Sequence, residues 1–201
     1  MSMNQKVKAG YNNAAEQYNA DYRNEFKNKH HLDWLLSELN SGSMVLDVGC
    51  GAGKPVDDYL IENQINVLGI DISEKQIELA RANVRDADYQ VLDMSELKEG
   101  QFTVDAVVSF YAIFHTPREG HLELLKKFRT FLDAGGYLLV TMGATDWEGS
   151  EDDFCGAEMH WSHYGADQNK DLIEKAGFKI LKSEIDNSGD EKHLIVFAQA
   201  I

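Results

Sequence analysis

The stretch Val45-Leu46-Asp47-Val48-Gly49-Cys50-Gly51-Ala52-Gly53 decides the fold of this chain. Its apolar start predicts a buried strand over Met44–Val48, and its glycines predict a tight turn into a helix. Glycines at such a turn let a ligand approach the main chain closely. The dinucleotide fingerprint needs Gly or Ala where Lys54 stands, and the phosphate-binding P-loop needs Ser or Thr where Pro55 stands. We therefore expect the loop to hold a nucleoside without a pyrophosphate.

Outward from this loop, apolar strand patterns alternate with amphipathic helix patterns. This alternation predicts an α/β fold with a doubly wound, mostly parallel sheet that helices cover on both faces. The last strand must be antiparallel, because only a short turn at 186–191 precedes it. Further strands are predicted at 67–70, 89–92, 104–110, 137–142, 178–184 and 193–199, and helices at 55–63, 74–82, 122–132 and 167–176.

The whole chain of 201 residues is predicted to form one domain over 1–201, with a helical cap over 1–40 and a substrate-side insertion over 143–166. It carries a formal net charge of −15, which repels phosphate backbones and anionic lipids. Neither nucleic acid nor a membrane is therefore an expected partner, and the polar start of the chain favours a cytoplasmic location. The two cysteines form no disulfide framework.

Two carboxylates follow the predicted second and third strands. Asp71 lies 20 residues beyond Gly51, where an acidic side chain is placed to accept the hydroxyls of a ribose. Asp93 ends the next strand and is a candidate partner for an adenine amine, beside the apolar Ile72 and Met94. Both aspartates also suit a turn or a helix N-cap.

This ordered set of motifs resembles the class I methyltransferases that use S-adenosylmethionine. Asp47, Gly49, Gly51 and Gly53 match the first motif, and residues 104–110 match the fourth. The resemblance covers roughly residues 40–145 and implies a Rossmann-like, seven-stranded sheet with an antiparallel last strand. It also implies S-adenosylmethionine as cofactor and a helical segment over its methionine end. The cofactor-binding residues that it implies are Tyr11, Tyr18, Asp47, Gly49, Cys50, Gly51, Asp71, Ile72, Asp93, Met94 and Phe110.

Candidate catalytic residues lie after the fourth and fifth strands. His115 is placed where the methyl acceptor is expected, as a general base or as a hydrogen-bond partner of the cofactor or the main chain. His163 and Tyr164 belong to the aromatic-rich insertion, which forms either the substrate pocket or a hydrophobic plug. No metal is predicted, because His160-x-x-His163 lacks the HExxH pattern and paired cysteines.

The function that these features favour is methyl transfer to a small molecule. The alternatives are a nicotinamide-dependent oxidoreductase, against which Lys54 weighs, and a non-catalytic module that binds the cofactor. A nucleic-acid amino methyltransferase is disfavoured, because Ser109-Phe110-Tyr111-Ala112 stands where such enzymes carry an Asn/Asp-Pro-Pro-Tyr/Phe motif. The sequence indicates neither the acceptor nor the oligomeric state.

Overall fold

The computed structural model describes residues 1–22, 26–188 and 191–201. Its centre is a seven-stranded sheet in the order β3-β2-β1-β4-β5-β9-β8, and β6 and β7 form a separate two-stranded hairpin. The strands are β1 (Met44–Val48), β2 (Asn66–Asp71), β3 (Asp88–Val91), β4 (Val104–Ser109), β5 (Leu132–Gly143), β6 (Trp147–Phe154), β7 (Ala157–His163), β8 (Phe178–Asp186) and β9 (His193–Ala200).

The predicted seven-stranded, mostly parallel sheet is confirmed. Strands β1 to β5 run parallel to one another. Strand β9 lies between β5 and β8 and runs antiparallel to both. The strand order reverses at β1, which pairs with β2 on one side and β4 on the other. The carboxyl ends of these strands therefore meet at one edge, where doubly wound sheets bind ligands.

Helices cover both faces of this sheet. The helices are α1 (Met3–Tyr22), α2 (Lys29–Leu36), α3 (Val56–Glu62), α4 (Glu74–Asn83), α5 (His121–Thr130) and α6 (Ala166–Lys175). Alternate residues of β1 face opposite cores: Leu46 packs with Phe128 of α5, and Val45 packs with Leu32 of α2. Each such side chain is fully buried, which stabilises the fold by about 1.5–3 kcal/mol. Ser73 caps the start of α4, since its Oγ accepts from the N–H of Gln76.

The helix predicted over 122–132 ends earlier than expected. Helix α5 stops at Thr130, and Gly135 and Gly136 lie within β5 instead of after a helix. Leu132 already pairs with Val104, and the register then shifts before the regular ladder resumes. Gly135 takes a φ of +93° at this irregularity, which explains the glycine pair that the sequence shows there.

The predicted insertion over 143–166 contains the hairpin of β6 and β7, for which the sequence predicted no strands. Helix α1 packs directly on β7: a Cβ at Gly10 would lie 2.8 Å from the carbonyl oxygen of Glu158. The residues of the predicted cap form α1 and α2, and the hairpin supports α1.

Gly189, part of the predicted turn before β9, lies outside the described residues. Among the helices that are described, none has the length and apolar composition needed to cross a membrane.

Candidate functional site

The glycine loop after β1 forms the floor of a cavity. Gly49 has a φ of +81°, and its N–H and that of Cys50 both donate to the carbonyl oxygen of Ile70, at 2.8 and 3.1 Å. A Cβ at Gly49 would lie 2.2 Å from the Cβ of Ala112. The loop therefore accepts glycine alone at this position, and it exposes bare main chain to the cavity.

Asp71 is held rigidly above this loop. Its Oδ2 accepts from the N–H of Gly51 at 3.0 Å, and its Oδ1 accepts from the N–H of Ser73 at 2.8 Å. Burial raises the pKa of Asp71 to about 6, while these two hydrogen bonds oppose that rise. Each carboxylate oxygen keeps a second lone pair, so Asp71 can still accept from a ligand hydroxyl.

Asp93 is tied to the N-terminal helix. Asn4 Nδ2 lies 2.9 Å from Asp93 Oδ2 and 3.2 Å from Oδ1, and the N–H of Ser95 donates to Oδ1 at 2.8 Å. The sequence did not reveal Asn4 as a site residue. The available signal was its spacing, because Asn4, Tyr11 and Tyr18 are seven residues apart and so share one face of α1.

His115 is buried beside Tyr11. Its Nδ1 lies 2.7 Å from the carbonyl oxygen of His160, which can only accept, so this nitrogen carries the proton. Nε2 is then the acceptor for the hydroxyl of Tyr11, at 2.9 Å. Burial lowers the pKa of His115 to about 4, which keeps the imidazole neutral at pH 7. A neutral imidazole with a hydrogen bond at each ring nitrogen orients Tyr11 and is a weak base.

These groups line a cavity with two lobes that share Tyr11, Tyr18, Gly49, Gly51, Phe110, Tyr111 and His115. The first lobe has about 630 Å³ of empty space, and the second has about 1170 Å³, each counted with its open mouth. The first lobe adds Asn4, Asp71, Ile72, Asp93 and Met94, and the second adds Lys27, Asp47, Cys50, Phe114, Phe154, Trp161 and His193.

A family of known proteins carries the same loop and carboxylates. Residues 45–136, which include Gly49, Asp71 and Asp93, match the family model described as a methyltransferase domain. Over these residues the chain is similar to the class I S-adenosylmethionine-dependent methyltransferases. The resemblance found in its motifs is thereby confirmed.

Members of this family that resemble the chain differ in the acceptors that their names give. The chain is 35% identical over 108 residues to a 27-O-demethylrifamycin SV methyltransferase of Amycolatopsis mediterranei, which covers 51% of this chain and 39% of that one. It is 30% identical over 114 residues to a probable tRNA methyltransferase 9B of Bos taurus, which covers 56% of this chain and 24% of that one. The chain thus spans less than half the length of either relative.

The fold of this methyltransferase family extends over the whole chain. The crystal structure of magnesium protoporphyrin IX methyltransferase from Synechocystis PCC 6803, which has S-adenosylhomocysteine bound, superposes with a TM-score of 0.79. The match covers 100% of both chains at 18% sequence identity. At this identity the match establishes the fold.

The second lobe of the cavity contains an aromatic residue in an unusual conformation. Tyr111 has a φ of +53°, which is rare for a bulky residue and costs about 1–3 kcal/mol. Its hydroxyl lies 3.1 Å from Asn28 Oδ1 and 3.4 Å from Asp186 Oδ2, and the ammonium of Lys27 lies 4.6 Å from its ring centre. No sequence pattern marks Lys27 or Asn28, because they join the lobe only through the packing of the fold.

Asp47 lies in the wall of the second lobe and is 3% exposed. Burial and the neighbouring charge of Asp57 raise the pKa of Asp47 well above its usual value. Asp57 in turn accepts from the hydroxyl of Tyr89 at 2.9 Å. The ionised forms of both carboxyl groups are therefore disfavoured at this place. Burial also raises the pKa of Cys50, which keeps this thiol protonated.

Two predicted catalytic residues are not brought to the cavity. His163 lies at the end of β7, where its Nδ1 donates to the carbonyl oxygen of Thr145 at 2.7 Å and its ring packs on Phe114. Tyr164 follows the strand, and the guanidinium of Arg118 lies 5.1 Å from its ring centre. Neither residue lines either lobe. Both support the packing of the hairpin instead.

Proposed function

We propose that this methyltransferase-family chain transfers the methyl group of S-adenosylmethionine to a small organic molecule. The observation that carries the proposal is the two-lobed cavity, in which the carboxylates of the first lobe meet the aromatic second lobe at Tyr11 and His115. A nucleoside in the first lobe leaves the second lobe for the methionine part of the cofactor and for the acceptor. The methyl group would then be transferred beside the wall that the two lobes share.

The first lobe fits the adenosine part of the cofactor. Asp71 is placed to accept from the ribose hydroxyls, and the bare main chain at Gly49 and Gly51 provides room beside the sugar. Ile72 and Met94 supply apolar contacts for the adenine ring, and Asp93 supplies an acceptor for its amine. Asp47, Cys50, Phe110 and Tyr18 are proposed to surround the methionine part.

S-adenosylmethionine supplies a methyl group on a positively charged sulfur, which is already a good leaving group. The protein therefore has mainly to align the acceptor, and orientation alone is worth about 7–11 kcal/mol in favourable cases. Aromatic side chains of the second lobe exclude water and hold the acceptor by apolar contact. His115 is proposed to position Tyr11, rather than to act as a general base, because its pKa of about 4 makes it a weak proton acceptor.

A small acceptor is favoured over tRNA by the charge around the cavity. The chain has a net charge of −15, and the exposed side chains of Glu151, Asp152 and Asp153 lie on the hairpin above the second lobe. This field repels a phosphate backbone. The two acceptor classes are distinguished by incubating the protein with radiolabelled S-adenosylmethionine and either unmodified tRNA or a small-molecule extract, and locating the label.

Calorimetry with S-adenosylhomocysteine, the demethylated product, tests the cofactor assignment. We expect Asp71→Ala to weaken binding at least tenfold, because a hydrogen bond to a charged group contributes about 1.5–3 kcal/mol. Asp71→Asn, which keeps one acceptor oxygen, should retain more affinity. The matched control is Asp88→Ala, because Asp88 is exposed and lies at the start of β3, away from the carboxyl ends of the strands.

Two outcomes would contradict this assignment: no heat with the folded wild-type protein, or unchanged binding by Asp71→Ala. NADH fluorescence on the same samples tests the oxidoreductase alternative. Binding of S-adenosylhomocysteine without transfer of label to any acceptor would favour a non-catalytic module.

A further inference from the structure

A second cluster of chemically active side chains lies away from the cavity, between α2 and β8. His30 and His31 lie at the start of α2, and Glu184 lies on β8, at the edge of the large sheet. Both imidazole Nε2 atoms lie near one carboxylate oxygen: His31 Nε2 is 2.5 Å and His30 Nε2 is 3.0 Å from Glu184 Oε1. All three ligand atoms lie within 4.8 Å of one another.

This set has the composition and spacing of a transition-metal site. Two imidazole nitrogens and one carboxylate oxygen are ligands that Zn²⁺ prefers, at about 2.0–2.2 Å from the metal. Ligands on a tetrahedral ion at such bond lengths lie about 3.3 Å from one another. The distances from Glu184 Oε1 to the two imidazole nitrogens, 2.5 and 3.0 Å, are already near that separation, and the third distance is at most 4.8 Å. Side-chain rotations can therefore open the cluster to receive the ion.

A metal binds an imidazole in its neutral form and a carboxylate in its ionised form. In the metal-bound form, each imidazole would carry its proton on Nδ1. The strongly negative net charge of the chain further favours cations near its surface.

We propose that His30, His31 and Glu184 bind a divalent transition metal of the Zn²⁺ class, with a water in the fourth position. The ion would fasten the start of α2 to the edge strand β8. The sequence carries no sign of this site, because two adjacent histidines have no ligand spacing and Glu184 is 153 residues from His31.

The metal would also steady the second lobe of the cavity. Asn28 immediately precedes α2, and Asp186 lies two residues beyond Glu184 on β8. Both side chains contact the hydroxyl of Tyr111, the residue with the unusual φ in the lobe wall. A metal between the same two elements would therefore fix the residues that hold Tyr111. The metal site itself does not depend on the proposed methyl transfer.

The test uses tag-free protein that has been stripped with EDTA and dialysed. We expect Zn²⁺ to bind with a stoichiometry of one in calorimetry, and Co²⁺ to give the visible absorption of a tetrahedral or five-coordinate site. His30→Gln and Glu184→Gln should each weaken Zn²⁺ binding at least tenfold. His30 is exposed, so its variant is expected to fold.

The matched control is Glu158→Gln, which removes a carboxylate that lies 2.9 Å from a single imidazole, that of His160. This variant should bind Zn²⁺ like the wild type, because one imidazole and one carboxylate hold the ion weakly. The proposal is overturned if the wild type shows no saturable binding of Zn²⁺ or Co²⁺. It is equally overturned if both His30→Gln and Glu184→Gln bind Zn²⁺ with wild-type affinity.

Discussion

Gly49 illustrates how much a single residue can determine. Two independent constraints exclude any other residue there, namely a φ of +81° and a Cβ position only 2.2 Å from that of Ala112. Gly42 shares one constraint, since its φ is +87°, but a Cβ there would meet nothing within 4 Å. Comparing alanine substitutions at the two glycines therefore separates the free-energy cost of backbone strain from that of the steric clash.

Gly49→Ala should lower the free energy of unfolding by about 3 kcal/mol, because it adds a steric clash to the strain. Gly42→Ala should lower it by about 1 kcal/mol, from strain alone. Urea unfolding measures both values, and calorimetry should show that only Gly49→Ala loses affinity for S-adenosylhomocysteine. Equal destabilisation by the two substitutions would contradict the clash with Ala112.

Single residues also mark the limit of what the sequence predicts. Asp71 could be selected because its distance from a glycine loop has a chemical meaning. Lys27 carries no such signal, and Asn4 carries only its spacing from Tyr11 and Tyr18 along α1. Both reach the cavity because α1 and the chain before α2 pack over the strand ends. His163 shows the converse, since its residue type suits catalysis but its place on β7 leaves it outside the lining of both lobes, against Phe114.

Among the elements, strands with apolar runs were predicted closely, whereas the hairpin was not predicted at all. Strand β1 is almost fully buried, and its bounds follow from its apolar residues. Strand β6 reads Trp-Glu-Gly-Ser-Glu-Asp-Asp-Phe and is mostly exposed, so it shows no apolar alternation. Its extended form depends on pairing with β7, which is a contact that a local pattern does not encode.

Helix α1 packs its apolar face on the hairpin, but it contacts the edge of the large sheet and the start of α4 mainly through polar side chains. Asn12 contacts Ser73 and Glu74 of the α4 cap, Lys8 pairs with Glu74, and Asn4 contacts Asp93. Such exposed polar contacts contribute little net stability, so α1 should separate from the sheet more readily than a helix in the main core. Because α1 covers the first lobe, its opening would admit the cofactor.

Hydrogen exchange followed by mass spectrometry tests this expectation. S-adenosylhomocysteine should slow amide exchange in α1 at least tenfold and leave α6, which lines neither lobe, unchanged. Asn4→Ala should accelerate exchange in α1 without ligand, whereas Asn13→Ala, at an exposed position of the same helix, should not. Equal protection of α1 and α6 by the ligand would contradict the role of α1 as a cover.

At the scale of the whole molecule, buried titratable groups shape the dependence of stability on pH. Burial lowers the pKa values of His115, His121 and His193 to about 4. The unfolded chain then binds more protons than the folded chain between pH 6.5 and 4, so these histidines lower stability as the pH falls through that window. Asp57 and Asp71, whose pKa values burial raises to about 6, act in the opposite direction, because their contribution is lost as the pH rises from 3.8 to 6.

His121 allows one of these contributions to be measured separately. It is fully buried and lines neither lobe, and its Nε2 donates to the carbonyl oxygen of Thr116 at 3.1 Å. A shift of its pKa from 6.5 to about 4 corresponds to about 3 kcal/mol, present above pH 6.5 and lost by pH 4. His121→Gln keeps an N–H that can reach Thr116 but removes the titration. The difference in unfolding free energy between the wild type and this variant, measured in urea, should therefore shrink by about 3 kcal/mol from pH 7 to pH 4. A difference that stays constant with pH would contradict a neutral, buried His121.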